Sequence, residues 1–251
     1  MTPPERLDGK IAIVTGGAMG IGQAIALDLA GRGAMVAIGD IAEARETLRL
    51  IEARGGRAVG KICDIMRSES VNAFVDGIAH GQGALDVLVN CAGAGARVGL
   101  VETTDEVWRS EVELNLTGTF FMIRAAVPHM LAGAGGAIVN VSSISGVIGG
   151  LPSSGEHGRS GAAYASAKAG TIGLTKWAAR EFGKQGIRVN AIAPGPVYTR
   201  LNVGYEFELE SYPLPRVGTV EDMAQAVGFL ASPASAYITG EVLKVAGGVG
   251  M

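Results

Sequence analysis

Ile11-Ala12-Ile13-Val14-Thr15-Gly16-Gly17-Ala18-Met19-Gly20-Ile21-Gly22 begins as an apolar, β-branched run, stops at a threonine and passes into glycines before a helical pattern, Gln23 to Ala30, takes over. That order describes a strand, a tight turn and a helix. Glycine is needed in the turn because the backbone must bend sharply and approach a pyrophosphate. The phosphates rest on the free N–H groups and positive dipole end of the helix that follows. Further on, a second apolar run, Ala34 to Ile38, ends in Gly39-Asp40. A carboxylate at that strand end can accept hydrogen bonds from adenosine ribose hydroxyls. Together these features describe a dinucleotide site, with Gly16, Met19, Gly20, Ile21, Gly22, Asp40 and Ile41 as its expected contacts.

Short β-branched runs alternate with longer amphipathic ones: strand 11–14, helix 20–32, strand 34–39, helix 42–54, strand 58–62, helix 67–79 and strand 85–89. Such alternation implies right-handed crossovers and a parallel sheet with helices on both faces. The 251 residues, 48% hydrophobic and 18% charged, fit one α/β domain over 1–251. The fold expected is a Rossmann-like, doubly wound parallel sheet of about seven strands. A net charge of −3 offers no basic field for nucleic acid or an anionic membrane. The first residues carry no apolar signal region, and no apolar run approaches the roughly 18 residues of a membrane span, so a cytoplasmic location is expected. Cys63 and Cys91 end predicted buried strands and read as small core residues, and His80, His129 and His157 lack metal-ligand spacing, so no metal is expected.

The glycine spacing, Thr15-Gly16-x-x-x-Gly20-x-Gly22, resembles that of the short-chain dehydrogenase/reductase family, and further motifs of that family follow in order along the whole chain. Asn90-Cys91-Ala92-Gly93 resembles its Asn-Asn-Ala-Gly element, with cysteine in the second place. Ala92 and Gly93 would lie against the cofactor, and Asn90 would hold strand ends together. Asp64 serves equally well as an adenine contact or as a helix cap on chemistry alone; the resemblance assigns it, with Ile65, to adenine. Thr103 and Glu106 read as a capping box opening a helix to about Leu131, interrupted near Leu114-Asn115-Leu116. Asn115 alone reads as a structural kink, whereas the resemblance makes it the holder of a proton-relay water. The strand Gly136 to Ser143 ends in two serines, and the resemblance makes Ser143 catalytic and places Ser145 near the substrate.

Tyr164 and Lys168 lie four apart inside a helix extending to about Gly183, so their heads share one face. A strand 187–193 leads to Pro194-Gly195-Pro196-Val197-Tyr198-Thr199, which resembles the family's Pro-Gly element; Pro194, Gly195, Val197 and Thr199 would meet the nicotinamide. Thr219 caps a helix to Ala231, and strand 241–245 closes the sheet.

The resemblance implies interconversion of a small-molecule secondary alcohol and a ketone. Tyr164 acts as acid or base, Ser143 positions the substrate oxygen, Lys168 lowers the tyrosine pKa and binds cofactor ribose, and Asn115 holds the water. Asp40 would sit against a 2′-phosphate, Arg45 lies a turn into its helix, and NAD is therefore expected over NADP. A 3-oxoacyl thioester reductase is the alternative enzyme; an NAD-binding regulatory or scaffold protein would be expected to show a broken Asn-Ser-Tyr-Lys set, and this chain keeps all four residues. Substrate loops are expected near 144–163 and 196–215, the first lengthened at 151–161, and the second, carrying alternating apolar and acidic residues at 205–210, short. Glu156 or a glutamate of 205–210 could draw a cationic substrate. Apolar helices 114–131 and 163–182 suggest a homodimer or homotetramer.

Overall fold

The computed structural model describes residues 4–83, 85–96, 98–150, 160–199 and 212–250. Its strands are β1 (Ile11–Thr15), β2 (Met35–Asp40), β3 (Arg57–Ile62), β4 (Val87–Asn90), β5 (Gly136–Val141), β6 (Ile187–Pro194) and β7 (Val242–Val245). They form one parallel sheet in the order β3-β2-β1-β4-β5-β6-β7. Chain order reverses direction between β1 and β4, which opens a crevice at their carboxyl ends.

Both faces of the central strands are covered, which is why these strands read as continuous apolar runs rather than alternating ones. Successive β1 side chains enter opposite cores. Ala12 and Val14 pack with Ile25, Leu29 and Val36 and with Met223 and Val227, whereas Ile11 and Ile13 pack with Phe74, Leu88, Met122, Met130 and Ile138. Helices α1 (Gly20–Gly31), α2 (Arg45–Ala53) and α8 (Val220–Ala231) supply the first face; α3 (Ser68–Gln82), α5 (Gly118–Ala132) and α7 (Ala162–Phe182) supply the second. Helix α4 (Asp105–Val112) runs into α5 through a π-helical turn, Glu113–Thr117, and α6 (Ile144–Ile148) is a single short helix after β5.

Three local expectations need correction. The cap of α4 is Thr104, whose side chain accepts from Val107 N, while Thr103 Oγ1 instead donates to Gly99 O. The adjacent threonines compete for one cap, and the one whose extended backbone precedes the helix takes it. Helix α2 opens at Arg45, so this arginine stands at the helix start and not a turn inside it. The two serines lie beyond β5, where Ser143 caps α6. The interruption near Asn115 is the π turn itself, which inserts an extra residue into an otherwise continuous helix. The loop extension, with its Glu156, lies almost wholly outside the described residues, as do the acidic residues 205–210.

Candidate active site

The crevice above β1 and β4 is built for close approach. Gly16 has φ +69°, and a Cβ there would stand 2.8 Å from Ala92 Cα; a Cβ on Gly22 would stand 2.1 Å from Gly16 O. Helix α1 starts after Met19 with no side-chain cap, so its first N–H groups point without an intrahelical acceptor towards this crevice. From α2, buried Thr47 donates to Gly17 O at 2.9 Å and accepts from Gln23 Nε2 at 2.9 Å, stapling the turn from behind. Glycine floor, free helix terminus and strand-end acid fit a bound dinucleotide. Met19 and Ile41 are exposed beside it, and Ile21 is half-buried.

Asp40 is fixed by two backbone donors, Ala18 N to Oδ2 and Ala42 N to Oδ1, each at 3.0 Å. Arg45, at the start of α2, pairs with Glu43. Asp64 is not a cap of α3, which begins after Arg67; its Oδ1 accepts from Met66 N at 3.0 Å and closes a local turn. Ile65 is buried among core residues, so only its backbone is free for a ligand. Asn90 Nδ2 donates to Asn140 Oδ1 at 2.8 Å, joining β4 to β5, and Thr15 Oγ1 accepts from Cys91 N and Ala92 N. Beyond β6, Gly195 N donates to Val245 O at 3.0 Å; Val197 is buried and Thr199 half-buried.

The serine strand end and α7 are stitched together at the carboxyl edge of the sheet. Ser142 Oγ donates to Lys168 O at 2.8 Å, and Lys168 Nζ donates to Val141 O at 2.9 Å. Lys168 Nζ lies 5.6 Å from the centre of the Tyr164 ring. Ser143 Oγ accepts from Ser145 N at 3.1 Å and stands beside the Tyr164 phenol; Ser145 is buried in α6. The π turn carries Asn115 fully inside, where its Nδ2 donates to Ala94 O at 2.7 Å and to Glu111 O at 2.9 Å. Its Oδ1 has no partner among the described protein groups, and a Cβ on Gly93 would stand 2.6 Å from that oxygen and 3.0 Å from Lys168 Nζ. An acceptor and a cation thus crowd the same glycine.

Burial dominates the local electrostatics. It pushes the Tyr164 phenol above its ordinary value, Ser143 pulling the other way and Cys91 and then Glu111 adding to the rise. It pushes Lys168 down to about 8 and the Cys91 thiol up to about 12, so Cys91 is an inert neutral neighbour. Folding therefore weakens the lysine's hold on its proton. Below pH 8 both the folded and the unfolded chain carry that proton and the whole burial cost is present; between 8 and the ordinary 10.5 the cost fades as pH rises. Urea unfolding of Lys168→Met, compared with the native chain at a series of pH values, is expected to show a relative stability that is highest at or below neutrality and declines between pH 8 and 10.5. A difference that stays flat across that window would exclude a charged, buried lysine.

Sequence reasoning missed Thr47, Ser142 and Glu111. Each reads as an ordinary polar residue until folding brings it to the site, although Glu111 does fall four residues before Asn115, on the same helical side.

Among the described residues, no group of three or more His, Cys, Asp or Glu is placed to hold a metal, and no helix is long and apolar enough to cross a membrane. The sequence profile of the family described as enoyl-(acyl carrier protein) reductase matches residues 16–250. Cis-4-hydroxycyclohexanecarboxylate dehydrogenase of Sinomonas cyclohexanicum is 42% identical, over 97% of this chain and 98% of its own. The 3-oxoacyl-[acyl-carrier-protein] reductase of Thermotoga maritima is 37% identical, over 97% and 99%. A crystal structure from Agrobacterium tumefaciens, assigned as a 2-deoxy-D-gluconate 3-dehydrogenase with NADP bound, superposes with a TM-score of 0.88 at 35% identity, over 98% of each chain. The chain belongs to the short-chain dehydrogenase/reductase family and is a Rossmann-fold oxidoreductase of the kind that uses nicotinamide cofactors.

Proposed function

We propose that the whole chain is one catalytic unit, an NAD-dependent dehydrogenase that interconverts a small secondary alcohol and its ketone. The observation that carries this reading is the gathering of Ser143, the Tyr164 phenol and the buried Lys168 cation at the carboxyl edge of a dinucleotide fold. Nicotinamide, when bound, supplies or takes up the hydride. Ser143 donates a hydrogen bond to the substrate oxygen. Tyr164 gives its proton to that oxygen during reduction and takes it back during oxidation. Lys168 favours the phenolate, and the ribose contact is its second task. Asn115 Oδ1 orients the water through which the lysine exchanges protons with solvent.

The sequence similarity to a hydroxycyclohexanecarboxylate dehydrogenase favours a cyclic alcohol substrate. A second reading, reduction of a 3-oxoacyl thioester, is favoured by the Thermotoga maritima relative and would use the same four residues. Following reduced-nicotinamide absorbance with cyclic alcohols and their ketones, and with 3-oxoacyl thioesters, separates the two. Exposed Trp108, Phe120, Leu131 and Trp177 on α4, α5 and α7 support a homo-oligomer.

Asp40 supports NAD over NADP, although the Agrobacterium tumefaciens relative binds NADP. Both oxygens of Asp40 are pinned in place, so the carboxylate cannot swing away from a 2′-phosphate. Removing one unfavourable charge contact is worth about one to two powers of ten. Asp40→Ala is expected to raise the NADP to NAD ratio of kcat/KM by that factor, and an unchanged ratio would refute the assignment.

A further inference from the structure

Glu111 lies in α4 and is only 7% exposed. Its Oε1 accepts a hydrogen bond from Ala96 N, and its Oε2 is enclosed without a partner among the described protein groups. Ala96 belongs to the stretch Ala94–Ala96 that leads out of β4. Ala94 O accepts from Asn115 Nδ2, a Cβ on Gly95 would stand 2.6 Å from the Tyr164 ring, and a Cβ on Gly161, just before α7, would stand 2.6 Å from Ala96 O. One carboxylate therefore fixes the backbone on which the tyrosine leans. A side chain that only filled this space would do so at less free-energy cost as a hydrocarbon, because a carboxylate taken out of water with one oxygen unbonded is heavily penalised.

We propose that Glu111 is a positioning residue of the reaction: it clamps Ala94–Ala96 as the wall behind Tyr164 and places a fixed negative charge beside that wall. The proposal rests on Tyr164 being the acid/base group. Among the described residues the groups that act on the phenol are Ser143 at the end of β5, Lys168 one turn along its own helix, and, through charge, Cys91 at the end of β4 and Glu111 in α4. Cys91 is neutral, so Lys168 and Glu111 are the opposing charges, and the glutamate makes the phenol hold its proton more tightly.

Two substitutions separate clamp from charge. Glu111→Gln keeps an oxygen for Ala96 N and deletes the charge; Glu111→Leu deletes both. In the pH dependence of kcat/KM for alcohol oxidation, the limb reporting tyrosine ionisation is expected to fall by about one unit in both variants. Glu111→Leu is expected to lose about tenfold or more in kcat at its plateau through misplacement of the wall, and Glu111→Gln to recover most of that loss. The same downward shift is expected in the titration of 13C-ring-labelled Tyr164 by NMR, a readout that needs no turnover; the resonance is assigned by its disappearance in Tyr164→Phe. An unmoved limb and an unmoved resonance, or native kcat in the leucine variant, overturn the proposal. If Glu111→Leu does not fold, Glu111→Gln decides by the shift alone. Full activity in Tyr164→Phe would instead refute the function assigned above, and the resonance would still test Glu111.

Discussion

Replacing Tyr164 with phenylalanine is expected to lower turnover by about 10²–10⁴-fold, the range that a positioned proton donor contributes. The substitution removes one oxygen and leaves the ring in place. That ring fills the space beside Gly95, so the wall and the helix start should be undisturbed. The phenol stands beside Ser143 and near a cation, and neither neighbour can replace it: a serine hydroxyl is too weak an acid, and Lys168 is turned towards Val141 O. NADH affinity, measured by calorimetry, should stay within about threefold of the native value, because a lost interaction with the reacting atoms is felt in kcat more than in binding. Loss of turnover together with loss of NADH binding would mean that the residue serves the fold and not the chemistry.

Gly22→Ala is expected to be nearly as damaging by a different route. The added methyl would stand 2.1 Å from Gly16 O, and the atoms it meets are backbone held on the other side by Ala92 and Thr47. The turn must therefore move. Forcing extra volume into a packed place typically costs 1–3 kcal/mol and sometimes more. At about 1.4 kcal/mol per tenfold, NADH affinity should fall by up to about a hundredfold, with a lowered melting temperature. Gly31→Ala is the control, since its added Cβ meets nothing within 4 Å and an alanine favours the helix. Equal NADH affinity in the two variants would show that the turn is not the phosphate cradle.

The parallel sheet and the placement of its strands and helices along the chain were legible because each central strand is a nearly pure apolar run and each crossover carries its own helical period; observed ends differ from expected ones by only a residue or two for most elements. Asn115 announced its irregular turn because asparagine suits a helix interior poorly. What stayed hidden depends on contacts between distant segments. Glu111 lies among charged neighbours in a helix and reads as a solvated residue, and only folding shows the loop from β4 descending on it. Asp64 offered two chemistries of equal merit, and its own turn, closed on Met66 N, excludes the capping one. The five-residue α6 is too short to leave a period, and it forms because Ser143 can cap it.

The reversal of strand order between β1 and β4 also divides the molecule's inheritance. In the function proposed above, residues that would face adenosine come from β1, β2 and the turns beyond them, and those that would face the reacting oxygen come from β5, α6 and α7. The ties across that divide include Thr15 to Cys91 and Ala92, Lys10 and Ile11 to Asp86, and Arg124 to Ser68, with α1 packed on α8 and α3 on α5. A recombination event that exchanged one half between related chains would need to keep these partners and the packed helix faces matched. Cofactor choice and carbonyl chemistry can in this way be passed on, and reassorted, as separate traits.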